Sequence, residues 1–125
     1  MEFKSTKGIF LQIADSLCNQ ILEGKLKAGD RVPSVRDLAA EMEVNRNTVM
    51  RTYSHLQECE IFENKRGIGF FISNKAMDVI KTQEKESFFA EVLPELIDKI
   101  KLLNLTSEDL KELITTIKAN DHENK

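Results

Sequence analysis

Apolar residues recur along this chain with two different periods, and the change of period organises it. In residues 9 to 23, "IFLQIADSLCNQILE", positions Phe10, Ile13, Ala14, Leu17, Ile21 and Leu22 keep the i, i+3, i+4, i+7 rhythm of an amphipathic helix. Gly24 follows where a left-handed C-terminal cap is wanted. "GKLKAGDRVPS" reads as a loop with room for a very short strand at Arg31 and Val32. Ser34, with Asp37 three residues later, makes a capping-box-like start for a second helix, "SVRDLAAEM". Its expected buried side is Val35, Leu38, Ala39 and Met42. A turn of about three residues, Glu43 and Val44 within it, leads to Asn45, a good N-cap. Val49, Tyr53 and Leu56 then carry a third helix to about Cys59.

The next segment, "EIFENKRGIGFFIS", is different in kind. Ile61 to Asn64 and Phe70 to Ser73 read as strands, and "KRGIG" supplies the turn glycines. Three helices, the last two joined by a tight turn, followed by a hairpin is the order of a winged helix-turn-helix. The remainder reads as helices. Apolar positions persist through Leu103, with Pro94 expected to kink or divide the run. Thr106 opens "TSEDLKELITTIKA", where Leu110, Leu113, Ile114 and Ile117 form a stripe, and the final "NDHENK" is expected to fray. The predicted fold is mainly α with a small β-hairpin. A winged helix-turn-helix domain spans residues 1–74, and a helical tail spans residues 75–125.

Composition narrows the function classes. A length of 125 residues, 41% hydrophobic and 31% charged, is ordinary for a soluble globular domain with an appendage. No apolar run approaches the roughly 18 residues of a membrane span. Gln12 and Asp15 interrupt the N-terminal apolar stretch, so it does not read as a signal peptide, and a cytoplasmic location without membrane contact is expected. Cys18 and Cys59 make no disulfide framework. His55 and Cys59 lie four apart and share a helix face, but a structural zinc site usually takes four ligands, and there is no CxxC or HxxxH. No metal or cofactor is expected. The net charge of −3 argues against nonspecific coating of nucleic acid. That charge is uneven: residues 1–75 carry a net +1 and residues 76–125 a net −4.

The third helix holds the candidate chemistry. After Glu43 there is no carboxylate until Glu58, yet Arg46 and Arg51 stand there with Asn45, Asn47 and Ser54. At about 100° per residue, Val49, Tyr53 and Leu56 share a sector of roughly 60°, and Arg46, Asn47, Met50, Arg51 and Ser54 spread over the other side. A donor-rich face without carboxylates suits phosphates and base edges. Arginine bonds two acceptors on guanine and asparagine does likewise on adenine. Arg46 and Asn47 occupy the N-terminal places from which a recognition helix reaches bases. Asn45 and Thr48 suit the cap, the turn or a phosphate; Arg51, a turn later, suits backbone or a flanking base. A solvated face has the same look, but the cap, the turn, the preceding helix, and Lys65 and Arg66 at the hairpin tip favour DNA. Arg36 is a further phosphate candidate, with a salt bridge to Asp37 or to an acid of the first helix as the other reading.

These residues resemble a known family. "GDRVPSVRDLAAEMEVNRNTVMRTYSHL" followed by "RGIGFFI" is similar to the DNA-binding domain of GntR-type bacterial transcription regulators. The matching elements are Gly29-Asp30, Val32-Pro33-Ser34, Arg36-Asp37-Leu38-Ala39, Val44 through Val49, and Arg66-Gly67-Ile68-Gly69, covering about residues 8 to 74. The short tail, with "NLTSEDLKELI" in its last helix, resembles the YtrA-like subfamily, in which the tail serves dimerisation and the targets are commonly ABC-transporter operons. The resemblance implies that Arg36 meets the DNA backbone, that Arg46 reads bases, and that Gly67 with Arg66 and Lys65 lies near the minor groove. The chain departs from it twice: Met50 stands where many members are basic, and Glu60 where many have glycine.

The expected function is therefore a homodimeric repressor on an inverted-repeat operator of double-stranded DNA. Phe88, Phe89, Val92, Leu96, Leu103, Leu110 and Ile114 offer more apolar surface than a small tail needs, and are expected to form the dimer; packing on their own winged helix is the alternative. A small-molecule effector would have to sit between tail and winged helix or at the dimer seam. The rival class is a winged helix used for protein contacts without DNA. An enzyme is not expected, because the chain shows no nucleophile–base pairing and no phosphate loop, and "RGIGFF" precedes no helix.

Overall fold

The computed structural model describes residues 8–123. Residues 1–7, the start of the stretch read above as no signal peptide, and residues 124 and 125 lie outside the described residues. The described residues form two compact units that divide between Glu84 and Lys85. The first comprises α1 (Ile9–Leu22), α2 (Val35–Met42), α3 (Arg46–Glu58), β1 (Phe62–Lys65), β2 (Gly69–Ile72) and most of α4 (Ala76–Ser87). The fold is mainly helical with one two-stranded hairpin, the winged helix-turn-helix that the periodicity predicts.

Local chemistry sets the helix ends. The chain leaves α1 through Gly24 at φ 82°, with Lys25 N–H bonded to Gln20 O at 2.8 Å and Gly24 N–H to Ile21 O at 3.1 Å. The Ser34 hydroxyl accepts from Asp37 N–H at 3.0 Å, opening α2 as its sequence indicates. Leu38 and Ala39 are buried and Val35 is half-buried. Met42, expected beside them, is instead 39% exposed, because α2 ends there and the chain reverses at Glu43, φ 57°.

β1 pairs antiparallel with β2 in the register Phe62↔Ile72 to Lys65↔Gly69, each strand offset by one residue from its expected limits. The very short strand at Arg31 exists as a single bridge to Phe71, with Val32 N–H bonded to Phe70 O at 2.9 Å. Glu60, where the resemblance would often place glycine, adopts φ 66°. Its carbonyl accepts from the Ser73 hydroxyl at 2.6 Å and its carboxylate pairs with Lys75 at 3.0 Å, so neighbouring groups hold a conformation that glycine takes freely. Glu60→Gly is expected to raise stability by up to about 1 kcal/mol, since left-handed backbone costs about 1–2 kcal/mol and an exposed ion pair offsets little of it. A lower thermal midpoint in that variant would show the ion pair to be the larger effect.

The core gathers Ile13, Ala14, Leu17 and Ile21 from α1, Val49, Tyr53 and Leu56 from α3, and Ile61, Phe62 and Ile72 around the hairpin. Ala76 and Ile80 of α4 are each 1% exposed and belong to the same core, which is why the first unit continues past the hairpin to Glu84.

The second unit contains the end of α4, a π-helical turn (Phe88–Val92), α5 (Leu93–Leu103) and α6 (Lys111–Glu123). Pro94 is the second residue of α5, and the π-helical turn before it divides that helix from α4, as expected. Proline lacks the N–H that an α-helical bond would need, and the turn before it widens, Leu93 N–H reaching back five residues to Phe88 O. Asn104 at φ 54° ends α5. Thr106 and Asp109 then cap one another, with Asp109 N–H to Thr106 Oγ1 at 3.2 Å and Thr106 N–H to Asp109 Oδ2 at 3.0 Å. The expected frayed end is helical as far as Glu123. No described residue of this unit is buried.

Candidate nucleic-acid interface

α3 is oriented by its N-cap and by its inward face. Asn45 accepts from Asn47 N–H through its side-chain oxygen at 2.7 Å, fixing the first turn. Val49, Thr52, Tyr53 and Leu56 are each no more than 1% exposed and turn one face of the helix inward. Arg46, Asn47, Met50, Arg51 and Ser54 are exposed on the other side, and Thr48 is half-buried. Arg36 is exposed in the first turn of α2.

Two interactions escaped the sequence pattern. Thr52 Oγ1 lies 2.9 Å from Phe10 O and 3.0 Å from Thr48 O, so its one proton serves two carbonyls and ties α3 to the start of α1. A threonine on the inner face with no apolar period left no signal. The Arg51 guanidinium lies over the Phe10 ring, Cζ 4.0 Å from its centroid. Stacking of this kind orders the side chain through the ring face and does not consume its in-plane donors.

Tyr53 is a main fastening between the wing and α3. The Tyr53 ring packs edge-on against Phe62 and Phe70, both at 5.1 Å between centroids, and its hydroxyl donates to Pro33 O at 2.7 Å. The wing tip is a tight turn in which Ile68 N–H bonds to Lys65 O at 2.9 Å and Gly67 takes φ 80°, the value a type II turn requires at its third position. Lys65, Arg66 and Gly67 are exposed there, the Lys65 ammonium 4.6 Å from the Phe71 centroid. No carboxylate occurs in residues 44–57 or 64–77, so α3 to its penultimate residue and the wing tip are both free of acids. Arg31, which the sequence pattern does not single out, also lies at the wing: its guanidinium donates to Ile68 O at 2.6 Å. Buried Val32 beside it was the available signal, since two-residue alternation places Arg31 on the opposite face.

Burial, with the charge of Glu41 second, pushes the Tyr53 phenol from 10.0 up to about 12. Burial, with Asp15, Glu84 and Cys59 beside it, pushes the Cys18 thiol from 9.0 up to about 12. Both raised values favour the protonated, folded form. Their stabilisation is complete below the unfolded values and is lost as pH climbs from about 9 towards 12. Urea midpoints are expected to stay flat up to about pH 9 on account of these groups and fall above it. The chain has a single tyrosine, so tyrosinate absorbance reads Tyr53 alone. Ionisation near pH 10 in the folded protein would contradict this account.

The profile of the bacterial regulatory proteins of the gntR family matches residues 10–72, the segment from α1 to the end of the wing. The chain belongs to the gntR family. This gntR regulator is 41% identical over 115 residues to the HTH-type transcriptional regulator YhcF of Bacillus subtilis (strain 168), covering 92% of this chain and 93% of YhcF. It is 34% identical to the HTH-type transcriptional repressor YtrA of the same organism, over 93% of this chain and 88% of YtrA. A crystal structure of a GntR-family transcriptional regulator from Bacteroides thetaiotaomicron superposes with a TM-score of 0.69 at 36% identity, covering 91% of this chain and 99% of that one. These similarities run through the helical tail as well as the winged helix. The relatives are named as transcription regulators, and no helix among the described residues is long and apolar enough to cross a membrane.

Proposed function

We propose that this gntR regulator works in the cytoplasm as a homodimeric repressor that occupies an inverted-repeat operator. Each α3 enters a major groove, where Arg46 and Asn47 read base edges. Arg36, Asn45, Thr48 and Arg51 hold the flanking backbone, and Lys65, Arg66 and Gly67 of the wing lie at the minor groove. The transporter operons of the YtrA-like subfamily are the target class that the resemblance implies, and the repressor name of a 34% identical relative supports repression.

The observation that carries the dimer is the absence of an interior in the second unit. Its described residues include none that is buried, while Phe88, Phe89, Val92 and Leu103 are 42%, 62%, 50% and 63% exposed and Ile114 is 37% exposed. Leu96 and Leu110 are half-buried. Ile97, Leu102, Leu113 and Ile117 are exposed as well. Helices with open apolar faces gain stability by covering them, and a second copy supplies a matching face under two-fold symmetry. Two copies also deliver two recognition helices to half-sites one turn of DNA apart.

Light scattering after size exclusion is expected to give a dimer at micromolar concentration. Val92→Asp with Ile114→Asp should give a folded monomer that no longer shifts DNA taken from around the protein's own gene. A monomeric wild-type chain, or a monomeric variant with undiminished DNA binding, would sink the proposal.

A further inference from the structure

One arginine of the loop between α1 and α2 extends to the tip of the wing. Arg31 Nη2 donates to Ile68 O at 2.6 Å, a charge-assisted bond to the carbonyl between the two wing glycines. The guanidinium lies against Gly69: a Cβ built there would stand 3.2 Å from Arg31 Nε and 3.3 Å from Nη2. Such an approach is tighter than ordinary packing, so a side chain at position 69 would push the guanidinium back from the tip. Gly69 also sits at φ 143°, where other residues are strained.

The base of this side chain is fixed. Arg31 bridges Phe71, and Asp30 O accepts from Ile72 N–H at 2.9 Å. Val32 is 3% exposed, and Pro33 O receives the Tyr53 hydroxyl. Residues 30–33 therefore touch the recognition helix at one end and the wing at the other. Phe71, opposite Arg31, carries the Lys65 ammonium on its ring. Among the described residues, the exposed three-residue tip is otherwise held by its own turn bond and the last pair of the hairpin.

We propose that Arg31 is the positioning residue of the wing: it clasps the tip through Ile68 O and Gly69 and presents the charges of Lys65 and Arg66 to the DNA. This rests on the proposed function, in which the wing meets DNA. Arg31 acts through those residues and need not touch a phosphate. That distinction is measurable, because a residue acting only through the wing has no effect once the wing's charges are gone.

The test combines three proteins with the wild-type chain on operator DNA across a salt series. Arg31→Ala is expected to weaken binding about tenfold and to flatten the salt dependence nearly as much as Lys65→Ala/Arg66→Ala does, although both cations are still present. Adding Arg31→Ala to Lys65→Ala/Arg66→Ala should cost nothing further. A full, additive loss in the triple variant would overturn the proposal, as an arginine with its own phosphate partner behaves that way. Wild-type affinity in Arg31→Ala would overturn it equally.

Amide exchange without DNA reads the clasp separately. The Ile68 amide should exchange faster in Arg31→Ala while the Tyr53 and Leu56 amides keep their protection, and unchanged exchange at Ile68 would also count against the clasp. Arg46→Ala measured alongside keeps the two claims apart: undiminished binding there would strike the recognition-helix reading and not the clasp.

Discussion

Replacing Tyr53 with alanine is expected to remove about 3–5 kcal/mol of stability, the range for deleting a buried aromatic side chain. Domains of this size hold about 5–15 kcal/mol in all, so the variant should be marginal or unfolded at room temperature. The size of the effect follows from what the residue joins. Tyr53 is 0% exposed, packs edge-on against Phe62 and Phe70, and bonds to Pro33 O. Its loss opens a cavity where α3, the hairpin and the loop before α2 meet. Tyr53→Phe keeps the ring packing and should lose only about 1 kcal/mol, the net worth of one hydrogen bond. Urea unfolding of both variants separates the two contributions. A loss below about 1 kcal/mol in the alanine variant would mean that the aromatic cluster does not secure the wing to the helix.

Arg46→Ala is expected to cost about 1–3 kcal/mol of operator binding per half-site, hence about 2–6 kcal/mol in a symmetric dimer, and to relax base preference at the position it reads. Arg46 is exposed in the first turn of α3, with the cap bond from Asn47 N–H to Asn45 setting the direction of that turn. Lys65→Ala should behave differently, weakening binding to all sequences alike and reducing the salt slope by about 0.9 for each phosphate the lysine neutralises. Titration of operator and scrambled DNA at several salt concentrations distinguishes the two patterns. Undiminished operator affinity in Arg46→Ala would remove this residue from the reading set.

Several parts of this architecture were legible because they depend on neighbours in sequence. A hydroxyl three residues before an acid marks a helix start whatever lies around it, and Ser34 Oγ does accept from Asp37 N–H. The same locality made Asn45 readable as a cap and Gly24 as a helix end. Other features depend on partners far along the chain. The side chain of Arg31 finds its carbonyl 37 residues away, and Thr52 finds Phe10 O 42 residues away. Met42 was misplaced because a period of 3.6 continues only while the helix does, and α2 stops there. Pro94 marks a division that its missing N–H makes evident from sequence, whereas the π-helical form of the turn before it depends on how the backbone redistributes its bonds.

By itself the sequence determined the order of elements, their caps, the inward face of α3 and the carboxylate-free stretches that mark helix and wing, since each follows from spacing over a few residues. Tertiary structure alone decided how these parts are held: Tyr53 clamping the hairpin, Phe10 ordering Arg51, Arg31 gripping the wing tip, and a second unit without an interior. The reason is physical. Caps and periodicity act through bonds between near neighbours, whereas packing joins residues that only the folded chain brings within reach of one another.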